Sequence, residues 1–139
     1  MKTPLDHATA LWQKASNDLV AARATLLTEQ ALDTVCFHAQ QAVEKSLKSL
    51  LALHDVEYPW RHDMAELYEL ACPILPGLVA QKEKILNMTP FAVEIRYDAE
   101  FSPSFFVAAE AVQTASEVHA LIGAYIQDSR SSAEQIESD

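Results

Sequence analysis

Apolar residues recur every three or four positions in three long stretches of the chain, residues 5–28, 32–54 and 103–128. This spacing places the apolar side chains on one face of an α-helix, so the pattern predicts three long amphipathic helices. The predicted core stripes are Leu5, Ala8, Leu11, Trp12, Ala15, Leu19, Ala22 and Leu26 in the first helix; Val35, Ala39, Ala42, Val43, Leu47, Leu50 and Leu51 in the second; and Phe106, Ala109, Val112, Ala115, Val118, Leu121, Ile122 and Tyr125 in the last.

Prolines divide the middle of the chain into shorter elements. Pro59 biases the residue before it away from helical angles, and the second helix is therefore predicted to end before it. A short helix is predicted from about residue 62 to 71 and another from 78 to 88, and residues 91–98 are predicted to cross the bundle as an irregular or extended strip. The predicted helix caps are Thr3 with Pro4 and Asp6, Asp33 or Thr34, and Ser102 or Ser104.

These elements predict an all-α fold, an antiparallel bundle of about five helices, three long and two short, of the up-and-down type. The chain has only two glycines, which disfavours hairpins and doubly wound sheets. We expect one domain over residues 1–128, followed by a disordered acidic and Ser-rich tail over residues 129–139.

The formal net charge of −10 disfavours general binding to DNA or RNA, although a local basic patch could hold a nucleotide or an RNA end. The two cysteines, Cys36 and Cys72, are far apart in sequence, and free thiols in a reducing compartment are favoured over a disulfide. The N-terminus does not read as a signal peptide, and no stretch of about 18 apolar residues occurs. We therefore expect a cytoplasmic protein without a membrane span.

A polar face interrupts the apolar pattern of the second helix. Gln41, Glu44, Lys45 and Lys48 stand at three- and four-residue steps and therefore line one side of it. These residues form either a binding surface or a solvated face with a Glu44–Lys48 pair.

Two further polar segments flank the short helices. His62 and Asp63 precede the third helix, where they are candidates for a cap or a ligand site. In residues 94–98, Arg96 and Tyr97 could grip a carboxylate, a phosphate or a partner, or Arg96 could fix the strip to a helix end.

No pattern of residues that carries standard catalysis or metal binding is present in the sequence. His38, His54 and His119 are scattered, and neither an HExxH motif nor a glycine-rich phosphate loop occurs. A metal site and a resident cofactor are not expected.

Three segments resemble the HEPN family (higher eukaryotes and prokaryotes nucleotide-binding). Residues 37–51, Phe-His-Ala-Gln-Gln-Ala-Val-Glu-Lys-Ser-Leu-Lys-Ser-Leu-Leu, are similar to the second-helix signature of the family. The other two are Arg61-His62-Asp63-Met64-Ala65-Glu66-Leu67 and Arg96-Tyr97-Asp98. The resemblance covers roughly residues 5–128 and implies a five-helix antiparallel bundle, frequently homodimeric. It also implies pairing with a minimal nucleotidyltransferase, often in a toxin–antitoxin-type module.

Some HEPN proteins are metal-independent ribonucleases in which an Arg is followed by a His after four to six residues. No Arg of this chain is followed by a His at that spacing. The sequence therefore favours a non-catalytic binding module whose ligand is a nucleotidyltransferase partner or a nucleotide such as ATP. The expected binding residues are Gln41, Lys45, Lys48, His62, Asp63, Arg96 and Tyr97.

Two alternatives remain open. The first is a ribonuclease toxin with a displaced catalytic His, in which His62 acts with Arg61 or Arg96. The second is a structural or oligomerisation domain, in which the polar residues form a buried network.

Overall fold

A computed structural model describes residues 1–59, 63–92 and 99–138, and every regular element in these ranges is helical. The elements are α1 (Pro4–Leu27), α2 (Leu32–Leu53), α3 (Met64–Ala71), a 3-10 helix (Pro76–Gln81), α4 (Lys82–Leu86) and α5 (Phe105–Ser138). The prediction of an all-helical bundle is confirmed. None of the helices in the described ranges has both the length and the apolar character that crossing a membrane requires.

The start of α1 follows from its sequence. The Thr3 hydroxyl accepts a hydrogen bond from the Asp6 N–H at 3.1 Å, and the Thr3 N–H donates to the Asp6 carboxylate at 2.9 Å. This reciprocal capping box gives the backbone N–H groups of Thr3 and Asp6 a hydrogen-bond acceptor each. Pro4 occupies the first turn, where no helical hydrogen bond would use the N–H that proline lacks. The predicted cap is confirmed.

The core lies where α1, α2 and α5 meet. All seven residues of the stripe predicted for α2 are fully buried, and the last helix contributes Val112, Ala115, Val118 and Ile122. Small residues dominate the α1 side of this core, with Ala8, Ala15 and Ala22 at 0% exposure, and they let the helix backbones approach closely.

The long helices do not simply alternate in direction. The Arg130 guanidinium of α5 donates to Thr9 and the Arg23 guanidinium of α1 donates to Ser116, so α1 and α5 run antiparallel. The beginning of α2 and the residues just before α5 line one cavity, and His54 after α2 bonds to Tyr125 of α5 at 2.7 Å, so α2 and α5 run parallel. The segment between them therefore returns the chain to the end of the bundle where α2 begins.

The predicted caps of α2 were wrong. The helix begins after Ala31, which lies in the left-handed region with φ 51°, and no side chain caps it. Asp33 and Thr34 are both inside the first turn, where the Asp33 carboxylate accepts from the Thr34 N–H at 2.9 Å. The tight turn through Glu29 and Ala31, both at positive φ, starts the helix earlier than the side-chain signals indicate.

The last helix has one of its predicted caps but differs from the prediction at one core position and at its C-terminal end. It begins after Ser104, one of the two predicted caps, whose hydroxyl accepts from the Val107 N–H at 3.1 Å. Phe106 was predicted to face inward but is 73% exposed, because its position on the first turn lies off the stripe that reaches the core. The helix continues to Ser138, through residues predicted to be a disordered tail, since no Gly or Pro interrupts it there.

The predicted helix over residues 78–88 is divided into two parts. Pro76–Gln81 forms a 3-10 helix, and Lys82–Leu86 forms one short α-helical segment. Gly77 lies inside the 3-10 part.

Both cysteines are free thiols. Burial raises the pKa of the Cys36 thiol to about 11, so this group stays protonated at neutral pH and packs as a small apolar side chain.

Candidate functional site

The polar face of α2 is partly buried and internally bonded. Gln40 is fully buried and Glu44 is 3% exposed. Gln41 donates to the Gln40 side-chain oxygen at 2.7 Å, and Gln40 donates to the Glu44 carboxylate at 3.2 Å. Because burying a polar group is costly unless it is bonded, this chain of hydrogen bonds makes the buried Gln40 and Glu44 tolerable in the core.

Lys48 extends the same network to the surface. Its ammonium group lies 3.4 Å from the Glu44 carboxylate, one helical turn away, and 5.4 Å from the centre of the Tyr58 ring. The Lys48 side chain is only 15% exposed. A charged pair with so little solvent around it interacts more strongly than a surface pair, and an aromatic face adds to the attraction.

Lys45 connects α2 to α1 through Asp18. The Lys45 ammonium is 2.6 Å from one Asp18 oxygen, and the His38 imidazole nitrogen Nδ1 is 3.0 Å from the other. Asp18, with a side chain 13% exposed, therefore joins two positions on α2 to the facing helix. Sequence reasoning did not assign this role to Asp18, because a pairing between helices depends on their relative register.

These lysines border a groove of about 740 Å³ between α1, α2 and the segment that follows α2. We call it the lysine groove; its lining residues are His7, Leu11, Lys14, Glu44, Lys45, Lys48, Glu57 and Tyr58. Leu11, the Tyr58 ring and the lysine stems supply apolar lining, and the ammonium groups of the three lysines and the carboxylates of Glu44 and Glu57 supply charged lining. Three of the six lysines of an acidic chain therefore line one groove.

His7, Lys14 and Tyr58 were not among the predicted site residues. His7, Leu11 and Lys14 are spaced by four and three residues, so they share one face of α1. That spacing is a usable signal, but Leu11 was predicted to belong to the core stripe, and no role was predicted for His7 or Lys14.

Asp63 has a structural role at the start of α3. Its carboxylate accepts hydrogen bonds from the Ala65 N–H at 3.0 Å and the Glu66 N–H at 3.4 Å, as an N-cap does. The next residue, Met64, is fully buried, and its sulfur lies 3.3 Å from the Gln40 amide nitrogen. Asp63 does not line the lysine groove.

The predicted convergence on one surface is therefore seen only in part. Lys45 and Lys48 share the lysine groove, and Gln41 belongs to the network beside it. His62, Arg96 and Tyr97, and with them Arg61, lie outside the described residues, so their part in the site stays a prediction. Among the described residues, no group of three His, Cys, Asp or Glu side chains could hold a metal ion.

A second polar cluster lies between α1 and α5. The His119 nitrogen Nε2 is 2.8 Å from the Ser16 hydroxyl, and the Trp12 indole donates to the His119 backbone carbonyl at 3.0 Å. Burial lowers the pKa of His119, and the nearby charge of Arg23 adds to this effect, so the ring is neutral at pH 7. None of these residues lines the lysine groove, and the cluster joins two helices.

The comparisons with known proteins identify the family of this chain. The model of the HEPN domain matches residues 8–125. A protein of Methanocaldococcus jannaschii named putative toxin MJ1304 is 30% identical over 86 residues, which are 62% of this chain and 55% of that protein. The match thus spans about half the length of that relative. No solved structure gives a significant match.

The family match covers all of α2, most of α1, residues 105–125 of α5, and the lysine groove except for His7. The buried Gln40 and Glu44 and the partly exposed Lys45 and Lys48 all belong to the second-helix segment that resembles the family signature. This chain is a member of the HEPN family.

Proposed function

We propose that this HEPN protein is a non-catalytic binding module that pairs with a minimal nucleotidyltransferase, as one half of a toxin–antitoxin-type pair. The observation that carries the proposal is the lysine groove. A leucine, an aromatic ring and three ammonium groups lining one groove suit a ligand with both apolar and anionic parts. Carboxylates on a partner surface fit this description, and so does a nucleotide such as ATP.

The lysines of the groove keep hydrogen-bonding capacity for a ligand. An ammonium group has three N–H donors, and the described contacts use one donor each on Lys45 and Lys48. Lys14 is exposed and makes no ion pair with any described residue. A bound carboxylate or phosphate could therefore be held by Lys14 first, with the two α2 lysines adding charge.

The absence of the Arg–His spacing from the sequence favours binding over RNA cleavage. Cleavage without a metal needs a group that moves a proton and a cation that holds the scissile phosphate. In the ribonuclease members of the family these are the closely spaced Arg and His, which this sequence lacks.

The name of the relative from M. jannaschii supports a role in a toxin-type pair. That protein is named a putative toxin, and the match spans 55% of its length. Applying its role to this chain is therefore part of the proposal.

Two binding experiments test the proposal. In the first, the chain is co-expressed with any minimal nucleotidyltransferase that is encoded beside its gene, and co-purification is expected. In the second, the purified chain is titrated calorimetrically with ATP, GTP and AMP. We expect Lys14→Glu to weaken whichever complex forms by about tenfold, and Lys84→Glu, a matched reversal at an exposed lysine on α4, to leave it unchanged. The lack of any such neighbouring gene, together with flat titrations for all three nucleotides, would overturn the proposal.

Because the relative from M. jannaschii is named a putative toxin, the ribonuclease alternative should be tested as well. In that alternative His62 acts with Arg61 or Arg96. It requires that purified protein cleaves RNA in the presence of a chelator and that His62→Ala abolishes the cleavage. Intact tRNA and mRNA, together with normal growth on overexpression, would exclude it.

A further inference from the structure

We propose that the lysine groove also receives the end of α5 from a second copy of this chain. We call residues 131–138 the α5 extension. Because each copy has one groove and one extension, two copies related by a two-fold axis would satisfy both contacts at once. The inference shares the groove with the proposed function, but its test measures self-association, so either one can fail without the other.

The α5 extension has no packing partner among the described residues of its own chain. The last hydrogen bond from α5 to another described helix runs from Arg130 to Thr9, at 3.0 Å. Every residue from 131 to 138 is exposed, and Ile136 is exposed by 76%. A Ser-rich helical end of about 12 Å gains little from intrinsic propensity, and packing is what usually stabilises such a segment.

The composition of the extension matches that of the groove. Ala133 and Ile136 are three residues apart and share one face, and Glu134 and Glu137 form a neighbouring row with the same spacing. An apolar row beside an acidic row is complementary in chemistry to a groove lined by Leu11, the Tyr58 ring and three lysines. The groove follows α1 from His7 to Lys14, about 10 Å along the helix axis, which is close to the length of the extension.

The extension cannot reach the groove of its own chain. In the part of α1 that the groove follows, the residues that hydrogen-bond to α5 are Thr9, Trp12 and Ser16. His7 and Lys14, which line the groove, are displaced from them by two residues, roughly half a turn around the helix. The groove therefore opens on the far side of α1 from α5, and only another molecule can bring an extension to it.

Charge reversal with rescue tests this contact in the full-length protein. Sedimentation equilibrium at low salt is expected to show a dimer whose dissociation constant rises with salt concentration. Glu134→Lys with Glu137→Lys in the extension, or Lys14→Glu in the groove, should each raise that constant by about tenfold, which corresponds to about 1.4 kcal/mol. Combining the reversals on both sides should restore much of the lost affinity, because the charges again have opposite signs.

Matched controls make the outcome decisive. All the substituted residues are exposed, so the variants should fold, and Lys84→Glu should leave the dimer unchanged. Ile136→Ser should weaken the dimer without altering the charge. A monomeric wild-type chain would overturn the proposal. So would a dimer that the extension variants leave intact, which would mean that another surface joins the copies or that the groove serves a different acidic partner.

Discussion

The Trp12 indole stacks on the His119 imidazole, with ring centroids 4.0 Å apart and an angle of 11° between the ring planes. The same indole donates its N–H to the His119 backbone carbonyl. One side chain of α1 thus makes both a stacking contact and a hydrogen bond to one residue of α5. Since stacking and a directed hydrogen bond each favour one geometry, the pair fixes the register between the first and last helices.

Gly123 makes room for this stack, and we expect Gly123→Ala to destabilise the protein. A Cβ atom at this position would lie 2.6 Å from the Trp12 ring, which is closer than real Cβ contacts. Displacing a packed indole should lower the free energy of unfolding by about 1–3 kcal/mol, measured by urea denaturation. Gly77→Ala is the matched control, because its Cβ would meet Leu121 at an ordinary 3.6 Å. Equal stabilities for the two variants would contradict the argument.

The buried His119 predicts a loss of stability on mild acidification. Its pKa is lowered in the folded state, mainly by burial, whereas in the unfolded chain it titrates near the usual 6.5. The stability that the neutral ring contributes is therefore complete above about pH 6.5 and is lost as the pH falls through the folded pKa. We expect the urea midpoint to fall between pH 7.5 and 5.5.

His119→Gln should make that fall smaller, whereas His7→Gln, at an exposed histidine, should not. The pH range stays above the titration of ordinary carboxyl groups, which would otherwise dominate the change. If the urea midpoint changes equally with pH in the wild type, His119→Gln and His7→Gln, His119 is not the source of the change.

The ion pair with Glu44 predicts that Lys48, which is also expected to bind a ligand, stabilises the fold. Lys48→Met removes the ammonium and leaves the 3%-exposed Glu44 without that partner, which should cost about 3 kcal/mol of unfolding free energy. Lys14→Met, at an exposed lysine of the same groove, should change stability by less than about 0.5 kcal/mol. If Lys48→Met lowers the melting temperature but leaves ATP and partner binding intact, the structural alternative is favoured for this residue.

The cap at Asp63 can be separated from a binding role by two substitutions. Asp63→Ala should lower stability by about 1 kcal/mol, because the Ala65 and Glu66 N–H groups lose their acceptor. Asp63→Asn should keep the cap and remove the charge, so that its stability stays close to that of the wild type. Weaker binding in Asp63→Asn at unchanged stability would assign Asp63 a binding role as well.

Helix positions were predictable because amphipathic spacing records which face is buried. The stripe of α2 is buried at every predicted position, and α1 begins at Pro4 with the cap that Thr3 and Asp6 indicate. The start of α2 was not predictable in this way, since Ala31 adopts a left-handed conformation that its side chain gives no reason to expect.

The site was less predictable than the fold, because it depends on how helices face each other. Periodicity placed Lys45 and Lys48 on one side of α2, but it could not show that Asp18 of α1 lies opposite Lys45. Nor could it show that the ring of Tyr58, which lies beyond the end of α2, faces the Lys48 ammonium. Both contacts arise from tertiary packing and leave no periodic signal in one chain.

The connection between α1 and α2, only four residues long, has a consequence for the order of folding. Closing so short a loop costs little entropy, so this hairpin can form as soon as both helices have left the ribosome. The bond from Trp12 to His119 instead joins residues 107 positions apart and must wait for almost the whole chain. Until α5 arrives, the nascent hairpin presents the indole to water, and the change in its fluorescence would mark the final step of assembly.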